Sequence, residues 1–344
     1  MLILSDALKI AGLTVDPGTR KNGLITIPNF FADGQAVEIP FIVVNGAKTG
    51  PCLYIQVAQH GSEVQGLEAV RRLLDKIDEC EMVGTLIYCL PNPLAFRESS
   101  RATIFDPVPG GMNRVWPGKP DGSPTERMAH AIWTELIPHA DEVVDLHTGA
   151  RRCPVWVFYE AYGVSEKVSR GTAERSAELA RLFGAPLLYL ETEPYGGRKT
   201  LRACCVDQGK PAIVPELGGA SYFDDEIVTL VHRGLRNIMI DLSMIQGRIE
   251  FPPQQTILKW TVDPYEAGVF ANKGGVFLPS VDLGELVEEG QEVGVIYSPR
   301  TFRVLEKLKA PQNGYIFSIR ENPVVNAGTR VIAVPAILEI IENP

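Results

Sequence analysis

Apolar and polar positions follow two rhythms along the first two-thirds of the chain. Leu24–Asn29 and Val37–Val44 read as the strands of a hairpin, and Cys52–Ala58 is a near-continuous apolar run of the kind that a sheet buries on both faces. Helical spacing follows, with Leu67, Val70, Leu74 and Ile77 on one face of a helix predicted over Val64–Cys80. Thr85–Leu90 is a further strand, closed by Pro91-Asn-Pro93. Ser123, with Pro124 just inside, opens a helix that runs to about His139. Strands are predicted over 142–147, 154–160, 186–191 and 211–216, and helices over about 164–183 and 224–245. This alternation predicts an α/β fold, a mixed sheet flanked by helices. After Gly247 the texture changes to short strands punctuated by Gly and Pro, which predicts a small all-β module. Two domains are expected, 1–250 and 251–344.

A length of 344 residues and a hydrophobic share of 45% supply one large core and a smaller one. Charge narrows the partners. With 33 Lys plus Arg against 42 Asp plus Glu, a net of -9 and no basic run, neither nucleic acid nor an anionic membrane is expected. The amino terminus lacks a basic start, a long apolar stretch and a small-residue cleavage site, and no apolar segment reaches membrane-spanning length. A cytoplasmic protein is expected, with room for a homo-oligomer. Six cysteines show neither the C-x-x-C spacing of a structural zinc site nor the density of a disulfide framework. They are expected reduced and buried, the adjacent pair Cys204-Cys205 being the one alternative candidate as a thiolate ligand.

Chemistry concentrates at strand ends. His60-Gly-Ser-Glu63 ends the Cys52–Ala58 run, and Asp145-Leu-His147 ends a second run beginning at Glu142. Ligand sites in open α/β sheets collect beyond the carboxyl ends of strands. Two histidines and a carboxylate there point to one zinc ion, since catalytic zinc keeps three protein ligands and one open position. His60, Glu63 and His147 supply that number. The bland alternative is a pair of core histidines and a glutamate at a helix start, where the dipole favours negative charge. Asp145 shares a strand face with His147 and is placed to accept from a ligand imidazole; a backbone-bonded buried Asp is the competing reading. Glu216, between Ala212-Ile-Val-Pro and Leu-Gly-Gly, is either a surface residue at a strand end or a general base.

These motifs resemble, in order, the succinylglutamate desuccinylase/aspartoacylase family of the zinc carboxypeptidase-like superfamily. The resemblance runs through His60-Gly-Ser-Glu63, Pro91-Asn-Pro-Leu-Ala-Phe96 leading to Arg101, Asn113-Arg114, Asp145-Leu-His-Thr-Gly149 and Pro215-Glu-Leu-Gly-Gly219. Residues 264–335 look like the barrel-sandwich module, related to biotinyl and lipoyl domains, that many bacterial members carry. The resemblance implies a zinc-dependent hydrolase, a deacylase such as a deacetylase or desuccinylase, that cleaves the amide of a small anionic N-acylated amino acid or related amine. Within it Glu216 takes a proton from the attacking water, and Arg101 stabilises the developing oxyanion. Asn113 and Arg114 grip the substrate carboxylate, with Arg202 as a further anion-binding residue. Arg97, Arg198, Lys199 and the pair Arg151-Arg152 compete for these arginine roles. The aspartoacylase branch also uses a carboxy-terminal tyrosine, which Gly268-Val-Phe-Ala-Asn-Lys-Gly-Gly does not supply, and this argues against acetyl-aspartate.

Other classes stay in view: a metallocarboxypeptidase for short peptides, or a non-catalytic metal-binding or assembly protein. A carrier domain presents its modified lysine on an exposed hairpin, whereas the matching Ser298-Pro-Arg-Thr-Phe-Arg303 has none and Lys307 and Lys309 follow in the next strand. Shielding or oligomerisation suits the module better. His130, His139 and His232 lack a partner spacing and are read as structural or solvent-facing.

Overall fold

The structure, a computed structural model, describes residues 5–149, 153–192, 196–219, 222–260 and 268–343. Its first part runs β1 (Leu8–Ile10), β2 (Leu13–Val15), β3 (Thr19–Ile27), β4 (Val37–Asn45), β5 (Lys48–Val57), α1 (Gln65–Lys76), β6 (Val83–Cys89) and α2 (Pro93–Arg97). It continues through α3 (Pro124–Glu135), β7 (Glu142–Leu146), β8 (Val155–Glu160), α4 (Arg170–Phe183), β9 (Leu187–Glu191), α5 (Leu201–Asp207), β10 (Ala212–Leu217), α6 (Asp225–Asp241) and β11 (Gln254–Trp260). A mixed sheet of ten strands is the backbone of the molecule, in the order Ala336–Glu342, β11, β9, β8, β10, β7, β5, β6, β4, β3. The expected α/β class with a carboxy-terminal all-β module is what forms.

Apolar side chains seal both faces of this sheet. On one, Leu73 of α1, Leu179 of α4 and Leu235 of α6 pack with Leu53, Ile55 and Leu146. On the other, Met128 and Ile132 of α3, Leu201 and Cys205 of α5, and Ile10 and Val15 of the β1–β2 ribbon pack with Tyr54 and Val143. The continuous apolar character of β5 and β7 follows, since each is a central strand covered twice.

Helix limits shift from the periodicity where a local signal overrides it. Ser169 and Asp224 cap α4 and α6, so α4 begins at Arg170 rather than near 164. Ser123 and Glu126 form a reciprocal capping box on α3, which ends at Glu135 before Pro138 enters a short 3-10 turn. Two short helices, α2 and α5, and the β1–β2 ribbon escape periodicity because three to seven residues hold too few apolar repeats.

The main sheet draws on both sides of the expected 250/251 boundary. Gln254–Trp260 pairs in parallel with β9, and the terminal strand Ala336–Glu342 pairs antiparallel with β11. Between them lies the β module, with its own core of Val269, Phe277, Ile296, Ile316 and Ile332. It meets the main sheet through Phe317, whose ring sits 4.7 Å from that of Trp156.

Candidate active site

Parallel pairing of β5 with β7, and of β7 with β10, brings three strand ends to one edge of the sheet. The chain leaves β5 through a left-handed turn at Ala58 (φ 61°) and reaches His60. Gly61 is required next: a Cβ there would lie 1.9 Å from the Ala95 carbonyl oxygen and 2.3 Å from the Phe96 nitrogen. The crossing segment is fixed by Asn92, which caps α2 at the Ala95 N–H and donates from Nδ2 to the Gln59 carbonyl, 3.2 Å. Glu63 then points back just ahead of α1.

The three residues converge in a buried knot. His60 Nδ1 lies 2.9 Å from Glu63 Oε1, and His147 Nδ1 lies 3.1 Å from Glu63 Oε2, which also accepts from the Thr148 N–H at 3.0 Å. The two imidazole rings are 4.9 Å apart, and one candidate ligand atom from each of the three residues falls within 4.8 Å of the others. Each ring is held from behind. His60 Nε2 faces the Gly110 carbonyl at 3.4 Å, and His147 Nε2 lies 3.2 Å from Asp145 Oδ2. Both Nδ1 atoms therefore face the Glu63 carboxylate.

Glu216 joins the group through the backbone. His147 N–H donates to the Pro215 carbonyl at 2.9 Å and Leu217 N–H to the His147 carbonyl at 2.9 Å, so His147 and Glu216 are bridge partners with side chains on one face. Electrostatics separates the carboxylates. Burial by itself would raise the Glu63 pKa, but hydrogen bonds to His147 and His60 hold it well below the usual carboxylate range. Glu216 is pushed up to about 8, by burial first and by the Glu63 and Asp145 charges, against the opposing pull of His147 and Arg101. Its Oε2 has no hydrogen-bond partner among the described residues. Burial would lower His147, yet Asp145 and Glu63 together carry it well above the ordinary histidine value, whereas burial keeps His60 below it. Two carboxyl groups with opposite tendencies are the pattern of an acid/base site.

This constellation lies within the span that matches a family model. The succinylglutamate desuccinylase/aspartoacylase catalytic domain aligns with residues 49–242. The chain belongs to this family. Among its relatives is the N-alpha-acetyl-L-2,4-diaminobutyric acid deacetylase of Halomonas elongata, 27% identical over 325 residues, covering 93% of this chain and 92% of the relative. A product-bound structure of the ectoine utilization protein EutE (DoeB) from Ruegeria pomeroyi superposes with a TM-score of 0.81 at 25% identity, covering 98% of this chain and 99% of that one. The succinylglutamate desuccinylase/aspartoacylase of Rhodobacter sphaeroides matches with a TM-score of 0.77 at 25% identity, over 93% and 96%. The family is one of deacylases, and the mixed sheet flanked by helices matches its solved structures.

The arginines expected at the site take distinct positions. Arg101 is largely exposed and reaches Glu63 Oε1 through Nη1, at the open side of the knot. Asn113 and Arg114 sit on a 3-10 turn, Gly111–Arg114, that follows Gly110, the residue whose carbonyl faces His60. The Asn113 Oδ1 is buried without a hydrogen-bond partner among the described residues, and Arg114 Nη1 donates to the Asn113 carbonyl at 2.7 Å. Arg202 is a different case. Its guanidinium is buried and engaged by Glu191 and, at 3.1 Å, by Glu160, so it contacts these carboxylates rather than the His60–Glu63–His147 group. Arg198 closes the same network on Glu160 and Asp207. Arg97 is exposed, and Arg151-Arg152 lie outside the described residues. All six cysteines are free; Cys204 and Cys205 pack in the core, Cys80 is exposed rather than buried, and none belongs to the His60–Glu63–His147 group.

Gln56, Gln59 and Trp116 were not anticipated. The signal available was a pair of amides, Gln56 and Gln59, in or beside an otherwise apolar strand, where a buried polar group must find partners.

Proposed function

We propose that this protein is a zinc-dependent amidohydrolase that removes a small acyl group from an N-acylated amino acid, with one zinc ion held by His60, Glu63 and His147. The observation that carries this reading is the convergence of two imidazole Nδ1 atoms on one carboxylate beside Glu216. The donor set fits: nitrogen and carboxylate oxygen ligands are those of catalytic zinc, and each ring is oriented from its far nitrogen as metal-binding imidazoles are. When bound, the ion supplies Lewis acidity and activates water near neutral pH.

The remaining work falls to side chains. Glu216 takes a proton from the attacking water and delivers it to the departing amine, and its desolvated setting, which favours the neutral carboxyl, suits a group that must hold that proton in between. Arg101, a fixed cation at the open side, counters negative charge on the acyl oxygen. Arg114 through its guanidinium and Asn113 through its Nδ2 amide donate to the amino acid's carboxylate. An acetylated amino acid is the favoured substrate, because the Halomonas elongata relative is named for one such compound and aligns along nearly the whole chain.

The test is a panel assay with zinc-loaded protein on Nα-acetyl-L-2,4-diaminobutyrate, N-acetyl-aspartate, N-succinylglutamate and unblocked dipeptides. Release of acetate or succinate is expected, abolished by chelator and restored by Zn2+. Release of terminal residues from the peptides alone would favour the metallocarboxypeptidase instead.

A further inference from the structure

We propose that Gln56, locked by Tyr54 and by a Trp116-anchored Gln59, is a positioning residue of the metal centre that fixes His147 through Asp145; this rests on the metal reading above. Gln56 and Asp145 are register partners on the parallel strands β5 and β7, so their side chains emerge side by side on one face. Gln56 Nε2 donates to Asp145 Oδ1 at 2.8 Å, and the other carboxylate oxygen, Oδ2, is the one facing His147 Nε2. With Nδ1 given to a metal, the imidazole proton must reside on Nε2, and Asp145 Oδ2, buried, without a hydrogen-bond partner among the described residues and 3.2 Å away, is placed to accept it.

What makes Gln56 more than a filler is that its amide cannot turn over. The Asp145 carboxylate only accepts, so the amide turns its nitrogen toward Oδ1, and Tyr54, two residues earlier on the same face, donates its hydroxyl to Gln56 Oε1 at 3.0 Å. That nitrogen also donates to Gln59 Oε1 at 3.2 Å. Gln59 is locked in turn: indole nitrogen only donates, and Trp116 Nε1 donates to the same Gln59 oxygen at 2.6 Å. Trp116, Gln59, Gln56, Asp145 and His147 are all buried, so a reversed Gln56 amide would set its oxygen against the Asp145 and Gln59 oxygens without water to relieve them, while Gln59 Nε2 stands 3.4 Å from His147 Nε2, farther than the 3.2 Å to Asp145 Oδ2. The chain of donors thus has a single direction, and it ends on the carboxylate behind a ligand ring. Partners of this kind typically govern metal affinity by about 10–100-fold.

The experiment titrates metal-stripped protein with Zn2+ against a chromophoric chelator, and with Co2+ followed by its visible absorption. Gln56→Met, which keeps the volume and deletes the amide, should weaken both metals by about 10–100-fold. In an Asp145→Ala background the same change should have no further effect, because Gln56 acts through Asp145. Equal losses in both backgrounds, or unaltered affinity of Gln56→Met, would overturn the inference. Tyr54→Phe removes a single hydroxyl and serves where Gln56→Met does not fold; it should lower affinity several-fold, and unaltered affinity again counts against the lock. If the parent protein itself binds neither metal, the metal reading fails with it, which a failure confined to the variants would not imply.

Discussion

At the scale of single residues, Glu63 and Glu216 show how one site can push two carboxyl groups apart. Glu63 is surrounded by donors and stays charged, whereas Glu216 is desolvated beside two other acidic groups and is pushed up to about 8. Replacing Glu216 with Gln preserves size and removes the proton acceptor. Its turnover should fall by roughly a hundredfold or more, with zinc content by elemental analysis unchanged. Arg101→Ala should lower kcat by about 10²–10³, the usual cost of losing a group aimed at developing charge, with a smaller change in KM. A raised KM at unchanged kcat would mean that Arg101 serves ground-state binding. The His60–Glu63–His147 cluster was legible from sequence because histidine and glutamate at the ends of apolar strands are out of place in a core. The fate of Arg202 was not, since its partners Glu160 and Glu191 come from two other strands and only folding brings them to it.

Among elements, the turn between β5 and α1 bears the greatest constraint. Gly61 lies under the Ala95–Phe96 backbone, so Gly61→Ala must drive apart the turn that carries His60 and Glu63 and the α2 segment tied to it by Asn92. A loss of about 1–3 kcal/mol in unfolding free energy is expected from overpacking, together with weakened Zn2+ binding in the same titration. Unchanged metal binding would show that the turn relaxes without moving the ligands. The apolar rhythm located the long strands and helices, but their limits came from caps at Ser123, Ser169 and Asp224. The amide relay was invisible for a different reason. Gln56 reaches Asp145 across 89 positions and Trp116 reaches Gln59 across 57, distances over which no local pattern carries information.

For the molecule as a whole, acid should erode stability through its partly buried histidines. Burial first, and then Lys76, Arg236 and Arg72, depress the pKa of His232, whose Nε2 has no hydrogen-bond partner among the described residues. A folded-state pKa below the unfolded value means that the contribution is intact above about 6.5 and is lost as pH falls and the unfolded chain takes up the proton first. Thermal unfolding between pH 8 and 5 should show this decline, and His232→Gln should flatten it; an identical slope in the variant would assign the effect elsewhere. The all-β character of the carboxy-terminal part was legible in its Gly and Pro punctuation, yet its attachment was not, because pairing of Gln254–Trp260 with β9 and Ala336–Glu342 is long-range. That attachment has an architectural result. Lys259 stands opposite Ala336, so the polypeptide departs for the module and comes home at adjacent rungs of one ladder. The appendage is an excursion from the tip of a hairpin: trading it for a short loop would re-thread nothing beneath it, whereas a swinging arm moored at one end alone is ruled out by its two moorings.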